Sequence, residues 1–109
     1  MTDFNTSLGL RSGDDGTIIL ETRPEHQVGV DFIHFAVLAT VAEVAAAGSV
    51  QAPVVPSSIA LSLMRPARPG ILVGRGRLLK RGRRLAVAEG EVTQDDKLVA
   101  KAQVTFAVL

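Results

Sequence analysis

The sequence predicts an α+β fold in which a curved antiparallel β-sheet wraps around one long central helix. One observation is a single long apolar segment without Gly or Pro, residues 34–47, and another is a series of strand-like segments from residue 58 to the end. The chain has 109 residues, of which 47% are hydrophobic and 21% charged, and these values are typical of an ordered domain. We therefore expect one domain over residues 1–109.

The N-terminal third of the chain predicts two short strands and a loop. The strands are residues 7–11 and 17–23, which flank the turn signal Gly13-Asp14-Asp15-Gly16. Pro24 ends the second strand, and a loop follows to Asp31.

The only predicted helix runs from His34 to about Ala47. Asp31 is placed to cap its first turn, and Gly48-Ser49 supplies a stop signal. Residues on all sides of this segment are apolar, which is typical of a buried helix.

Four strands are predicted after the helix, which gives the order β-β-α-β-β-β-β. They cover residues 58–64, 71–80, 85–93 and 98–109. On one face of the last three strands, basic and acidic columns alternate: Arg75 and Arg77, Glu89 and Glu91, Lys101 and Gln103. The opposite columns hold only small residues: Gly74 and Gly76, Ala86, Ala88 and Gly90, Ala100 and Ala102. We expect the helix to lie against these small residues.

Glu43 is the only ionisable residue of the helix after His34. Two interpretations stay open. Either the Ala-rich side of the helix faces solvent and Glu43 is a surface residue, or Glu43 points into a pocket as a base or nucleophile. Burial of a lone carboxylate raises its pKa, so the second interpretation predicts an unusual acid.

Charge is distributed unevenly although the net charge is only +1. Eight of the twelve basic residues lie between Arg65 and Arg84, where no acidic residue occurs. Such a block indicates either a phosphate-bearing ligand or pairing with acidic strands. Because Trp and Tyr are absent and the block contains no Phe, stacking platforms for nucleic acid are missing, and we expect no nucleic-acid partner.

Other site chemistries are excluded by composition. The chain has no Cys and only two His, which argues against disulfides, a thiolate nucleophile and a metal site. The first residues lack a signal-peptide pattern, and the apolar segment is too short to cross a bilayer. We expect a cytoplasmic protein without a membrane partner.

Taken together, several segments resemble the hotdog-fold acyl-CoA thioesterases of the phenylacetate-degradation type. The family shows a His-Gly-Gly followed by an acid nine positions after the His, and here His34 and Glu43 are nine apart. A strand ending in Leu-Arg-Pro, a Gly and a closing Thr-Phe-x-Val have counterparts in residues 61–66, Gly70 and residues 105–108. The resemblance covers nearly all of the chain from Thr17.

The resemblance implies hydrolysis of an acyl-CoA thioester, with Glu43 as nucleophile or general base. The backbone N–H of Phe35, which follows His34 at the start of the helix, would polarise the thioester carbonyl. It also implies a dimer or dimer of dimers with sites between subunits, and CoA as part of the substrate without any further cofactor. The candidates to hold the CoA phosphates are Arg65, Arg68, Lys80, Arg81, Arg83 and Arg84, whereas Arg75 and Arg77 are expected to pair with Glu89 and Glu91.

The sequence departs from the family pattern around the acid. Phe35 and Ala36 replace the two glycines, and Val28 stands where a substrate-positioning Asn or Gln is usual. Gln27 is adjacent and takes that role if the loop shifts by one residue. A non-catalytic hotdog domain that binds an acyl-CoA or a related ligand is therefore an alternative, and a thioester dehydratase or hydratase is a third.

The two histidines have different expected places. In a continuous helix, nine residues would place His34 on the side opposite Glu43, about 180° around the axis, so the two could not touch within one chain. His34 is therefore expected in the turn before the helix, where it bonds backbone groups. His26 lies in a polar loop and is expected at the surface.

Overall fold

The computed structural model describes residues 3–109, in which two helices and eight strands form. The N-terminal elements are α1 (Phe4–Leu8), β1 (Arg11–Ser12), β2 (Ile18–Glu21), a 3₁₀ turn (Pro24–His26), β3 (Gln27–Val28) and β4 (Phe32–Ile33). The central helix α2 (Phe35–Val50) follows, and then come β5 (Val54–Leu63), β6 (Ile71–Arg81), β7 (Leu85–Gln94) and β8 (Lys97–Val108).

Six strands form one antiparallel sheet in the order β1-β2-β6-β7-β8-β5, and α2 packs mainly across β6 and β7. The predicted α+β architecture is confirmed. Strand β5 is an edge strand that α2 covers least among the four long strands. Within residues 3–109, no helix is long and apolar enough to cross a membrane.

The small-residue columns lie under the helix as the sequence predicts. Gly76 is opposite Gly90, and Gly90 is opposite Ala102. A Cβ atom on Gly76 would collide with the carbonyl oxygen of Ala45, and one on Gly90 with that of Ala42. The backbone of α2 therefore rests directly on the sheet, which only glycine permits at these two positions.

The opposite face of the sheet carries the predicted charge ladder, with one correction. Arg77 Nη2 lies 2.6 Å from Glu89 Oε1, and this hydrogen bond holds the pKa of Glu89 below its usual range. Arg75 is opposite Glu91 in the register, but the expected ion pair between them is wrong. Glu91 pairs instead with Lys101, at 3.4 Å, because Lys101 lies on its other side in β8.

Several predicted element boundaries are wrong: β5 begins at Val54 instead of residue 58, and β3 lies within the predicted loop up to Asp31. Most of the expected strand at residues 7–11 belongs to α1 and its end; Asp3 caps α1 by accepting a hydrogen bond from the Thr6 N–H. Helix α2 also continues through Gly48 and Ser49 to Val50, which is only 2% exposed. Burial of Val50 outweighs the weak helix propensity of Gly48.

His26 is buried, so its predicted surface position is wrong. Its Nδ1 accepts a hydrogen bond from the Arg23 N–H at 3.0 Å, and its carbonyl oxygen accepts one from the His34 N–H at 2.9 Å. His26 thus joins the 3₁₀ turn to the start of α2.

Candidate functional site

The N-terminus of α2 is organised by His34, which caps the helix. His34 Nδ1 accepts a hydrogen bond from the Ala36 N–H at 3.0 Å, so the residue bonds backbone groups as the sequence predicts. The expected cap at Asp31 is wrong; Asp31 has a φ of 68° and lies in the preceding loop. Phe35 is the first residue of α2, and the amides of a first helical turn have no acceptor within the helix.

A cavity of about 310 Å³ opens beside this helix terminus. Its lining is mainly apolar, with one cation: Ile33, Phe35, Leu38, Leu63, Met64, Arg65, Pro66 and Ala67. Phe35 is 56% exposed, and its ring stacks on that of His34 with 4.7 Å between ring centroids. The Ala36 and Val37 N–H groups are already bonded to His34, so the cavity can receive an apolar group close to the Phe35 N–H and the positive end of the helix dipole.

Gln27 and Val28 lie in a two-stranded hairpin that leads into the helix. Gln27 is opposite Ile33 and Val28 is opposite Phe32. Val28 is exposed, whereas Gln27 is partly buried. Since neighbouring strand residues point to opposite sides, the hairpin presents only one of these two side chains to any one surface.

Glu43 lies on the side of α2 that faces away from the sheet. Its neighbours on that side are small or polar: Ala36, Ala39, Thr40 and Ala47. Glu43 is partly buried, and burial raises its pKa. No ion pair or side-chain hydrogen bond within residues 3–109 compensates this carboxylate.

Glu43 and the Phe35 N–H cannot act on one thioester within a single chain. Eight residues separate them, which corresponds to a rise of about 12 Å along the helix. A carbonyl carbon must lie about 3–3.5 Å from its attacking atom, so the two groups are too far apart.

The predicted phosphate-binding residues separate into two groups at opposite ends of the sheet. Arg65 and Arg68 lie near the N-terminus of α2, where the Ile33 N–H donates to the Ala67 carbonyl. Strand β6 then runs for about 30 Å before it reaches Arg81. The block that is continuous in the sequence is therefore not one surface in the protomer.

The first group lines a second cavity of about 310 Å³, which shares Arg65 and Pro66 with the apolar cavity. Its lining is mostly polar: Arg65, Pro66, Arg68, Gln94, Asp95, Lys97 and Val99. Arg68 also covers the ring of Phe32, with its Cζ 5.2 Å from the ring centroid. Sequence reasoning missed Lys97, because it follows two aspartates outside the basic block and only the β7–β8 turn brings it to Arg65.

The second group has different contacts. Arg81 donates a hydrogen bond to the Val50 carbonyl at 3.0 Å and thereby stabilises the C-terminus of α2. Lys80 and Arg84 line a separate cavity with Leu85 and Val87, and Arg83 is exposed in the turn between β6 and β7. None of these four cations lies near the apolar cavity of the same chain.

Comparisons with known proteins agree with this architecture. A family model described as the acyl-CoA thioesterase N-terminal domain matches residues 22–107. Among curated protein sequences, none matches this chain.

Several solved structures are similar along nearly the whole chain. A phenylacetic acid degradation-related protein from Ralstonia eutropha is 30% identical, with a TM-score of 0.83, over 95% of this chain and 88% of that chain. The phenylacetic acid degradation protein PaaI from Thermus thermophilus, solved as a mutant, is 27% identical, with a TM-score of 0.85, over 97% of this chain and 98% of that chain. A Bacillus halodurans protein solved with CoA has a TM-score of 0.86 at 22% identity, over 100% of this chain and 77% of that chain; this likeness concerns the fold alone.

Proposed function

Since the chain belongs to the acyl-CoA thioesterase N-terminal domain family and has the hotdog fold, we propose that it hydrolyses an acyl-CoA thioester to a free acid and CoA. The observation that carries this proposal is Glu43. It is the only ionisable residue of α2, it is partly buried without a counter-charge, and it lies on the open side of the helix. A structural role would not require a lone carboxylate there, because its desolvation is unfavourable.

Glu43 acts as general base or nucleophile in this proposal. As a base, it takes a proton from water while the water oxygen bonds to the carbonyl carbon, and it returns the proton to the leaving thiolate. As a nucleophile, its carboxylate attacks the carbonyl carbon and expels the CoA thiolate, which takes a proton from water, and water then hydrolyses the resulting anhydride to the free acid and the regenerated Glu43. Burial raises the pKa of Glu43, which makes its ionised form a stronger base. The Phe35 N–H would stabilise the oxyanion.

Two copies of the chain complete the site. The separation of Glu43 from the Phe35 N–H means that each thioester must use Glu43 of one copy and the helix N-terminus of another. The inner face of the edge strand β5 is also incompletely covered: Ile59 is 46% and Leu63 is 54% exposed on the side where the other strands meet α2. A second copy that places its own helix there would bury both residues.

This arrangement is tested by light scattering at micromolar concentration. We expect a mass of at least twice 11.5 kDa. A monomer of full hydrolytic activity would contradict the shared site.

The phosphates of CoA are held in this proposal by Arg65 and Arg68, together with Lys97. These residues surround the polar cavity that joins the apolar cavity beside Phe35, so an apolar chain and a phosphate can be bound at once. We expect Arg65→Ala and Arg68→Ala to weaken CoA binding, more at low than at high salt. The matched control is Arg83→Ala, an exposed arginine of the same basic block at the other end of the sheet.

The deciding experiment is Glu43→Gln, measured by hydrolysis of a panel of short-chain, aromatic and long-chain acyl-CoAs. Loss of a general base lowers the rate by about 10²–10⁴-fold, while folding and CoA binding persist. Thr40→Val is the matched control, since Thr40 lies on the same side of α2 and its hydroxyl bonds the Ala36 carbonyl. Unchanged hydrolysis in Glu43→Gln would exclude this mechanism.

A non-catalytic domain that binds an acyl-CoA is the second candidate function. The ring of Phe35 favours it, because this ring stands at the helix N-terminus where the resembled family has glycine and occupies part of the lining of the apolar cavity. This candidate predicts CoA binding without turnover in the wild type. Nothing favours a dehydratase, because neither His26 nor His34 pairs with a carboxylate within residues 3–109.

A further inference from the structure

The face of the sheet opposite α2 holds a cavity of about 340 Å³ at the β6–β7 turn. It is lined by Lys80, Gly82, Arg84, Leu85 and Val87. The register places it on the outer face, because Lys80 is opposite Val87 and Leu85 is opposite Ala107, whereas the neighbouring pair Ala86 and Phe106 is buried under the helix. This cavity is thus separated from the α2 side by the sheet itself.

An irregularity in β6 shapes the cavity. The register shifts between Leu78 and Lys80, which leaves Leu79 as an extra residue and bends the end of the strand. The Gly82 N–H donates to the Leu85 carbonyl at 2.7 Å and closes the turn. The cavity walls are therefore held by backbone hydrogen bonds.

The lining combines an apolar floor with a cationic rim. Leu85 is 54% exposed, and the apolar row continues from Leu85 through Ala107 to Val55 across three strands. Lys80 and Arg84 form no ion pair within residues 3–109. The surface thus complements an anion that is attached to an apolar chain.

We propose that this outer cavity binds a free carboxylic acid with an apolar chain, its carboxylate between Lys80 and Arg84 and its chain along Leu85 and Val87. The proposal does not depend on the hydrolytic function, since it concerns the opposite face of the sheet. It also assigns Lys80 and Arg84 to a ligand other than the CoA of the α2 side.

Two other occupants fit the surface less well. A second copy that docked its own outer face here would offer Lys80 and Arg84 few free counter-charges, because Glu89 and Glu91 of that face are already paired with Arg77 and Lys101. A lipid bilayer would also have to cover the adjacent ion pairs of Arg77, Glu89 and Lys101 and remove their water. A small amphiphilic acid meets neither obstacle.

The test is a titration of the wild-type protein with decanoate below its micelle concentration, followed by the NMR signals of Leu and Val methyl groups. We expect shifts at Leu85, Val87 and Val55, and an affinity about tenfold or more above those for 1-decanol and inorganic phosphate. The double variant Lys80→Gln/Arg84→Gln should weaken decanoate binding by a similar factor. Leu85→Gln should also weaken it, while the matched control Arg75→Gln, a cation of the same face outside the lining, leaves it unchanged.

Four outcomes would overturn the proposal. Two are an affinity for 1-decanol, or for inorganic phosphate, equal to that for decanoate. The third is an unchanged decanoate affinity in the double variant, and the fourth is that the NMR shifts are confined to the methyl groups of Leu38 and Leu63 on the α2 side. Vesicles of phosphatidylglycerol serve as a further arm. If the wild type binds these vesicles but not decanoate, and the double variant does not bind the vesicles, the surface would be assigned to a membrane instead.

Discussion

The two sides of helix α2 are built in opposite ways. Toward the sheet, the helix backbone touches Gly76 and Gly90 so closely that no side chain fits between them. Toward the outside, the helix presents a stripe of small residues with Thr40 and Glu43, and the residues of this stripe are exposed or partly buried. One side is fixed by close packing, while the other is left for a ligand or a second chain.

This difference explains why the helix tolerates a carboxylate. Stability comes from the sheet side, where Val37, Val41 and Ala42 are buried in the core. Glu43 opposes folding slightly, because partial burial disfavours its negative charge. The close packing on the sheet side of the helix outweighs this desolvation cost. Substitutions on the sheet side should therefore change mainly the stability of the protein, and substitutions on the outer side mainly its activity.

The largest effect on stability is expected from Gly90→Val. A valine there must displace the backbone of α2 at Ala42, so we expect a loss of about 3 kcal/mol or more, out of a typical total of 5–15 kcal/mol. Urea unfolding measures it. Ala36→Val, on the exposed side of the same helix, is the control and should cost less than about 1 kcal/mol. Equal losses in both variants would remove the distinction between the two sides.

An intermediate effect is expected from Phe35→Gly, which restores the residue of the resembled family at the helix N-terminus. Removal of the ring enlarges the apolar cavity, so we expect faster hydrolysis of acyl-CoAs with bulky acyl groups than of those with short ones. Glycine in the first turn should lower stability by about 1 kcal/mol. Rates that fall equally for all acyl groups would instead show that the ring contributes to binding.

The smallest effect is the pH dependence of stability in Glu43→Gln. The pKa of Glu43 is raised in the folded state, so folding is penalised as the pH rises through the ordinary carboxyl range. At low pH the carboxyl is protonated in both states and the penalty disappears. We therefore expect the variant to be the more stable protein at neutral pH and to match the wild type in acid. A wild type that is more stable at pH 7 would mean that Glu43 has a stabilising partner.

The sheet could be predicted well because its signals are local. Alternation along each strand assigned Gly76, Gly90 and Ala102 to one face, and the observed register places them side by side. His34 was also placed correctly in the turn before the helix, where its Nδ1 accepts a hydrogen bond from the Ala36 N–H. The individual partners were less predictable, since Lys101 competes with Arg75 for Glu91.

The basic block shows why contiguity in sequence does not predict a shared surface. The two ends of the eleven-residue strand β6 lie about 30 Å apart. Because side chains alternate along a strand, Lys80 and Arg81 also lie on opposite faces of the sheet. Arg81 became a partner of the helix C-terminus, and Lys80 became part of the outer cavity. His26 was misjudged for a related reason: its hydrogen bonds to Arg23 and His34 depend on how the loop folds back.

The sequence by itself determined the central helix and the four long strands that follow it, the face of the residues in the last three strands and the family resemblance, because periodicity and spacing encode direction along regular elements. Only the tertiary structure decided which residues meet across elements: the extension of α2 to the buried Val50, the joining of Lys97 to Arg65, and the separation of Glu43 from the Phe35 N–H. These outcomes depend on competition among packing partners that are distant in the chain, and no local pattern records that competition.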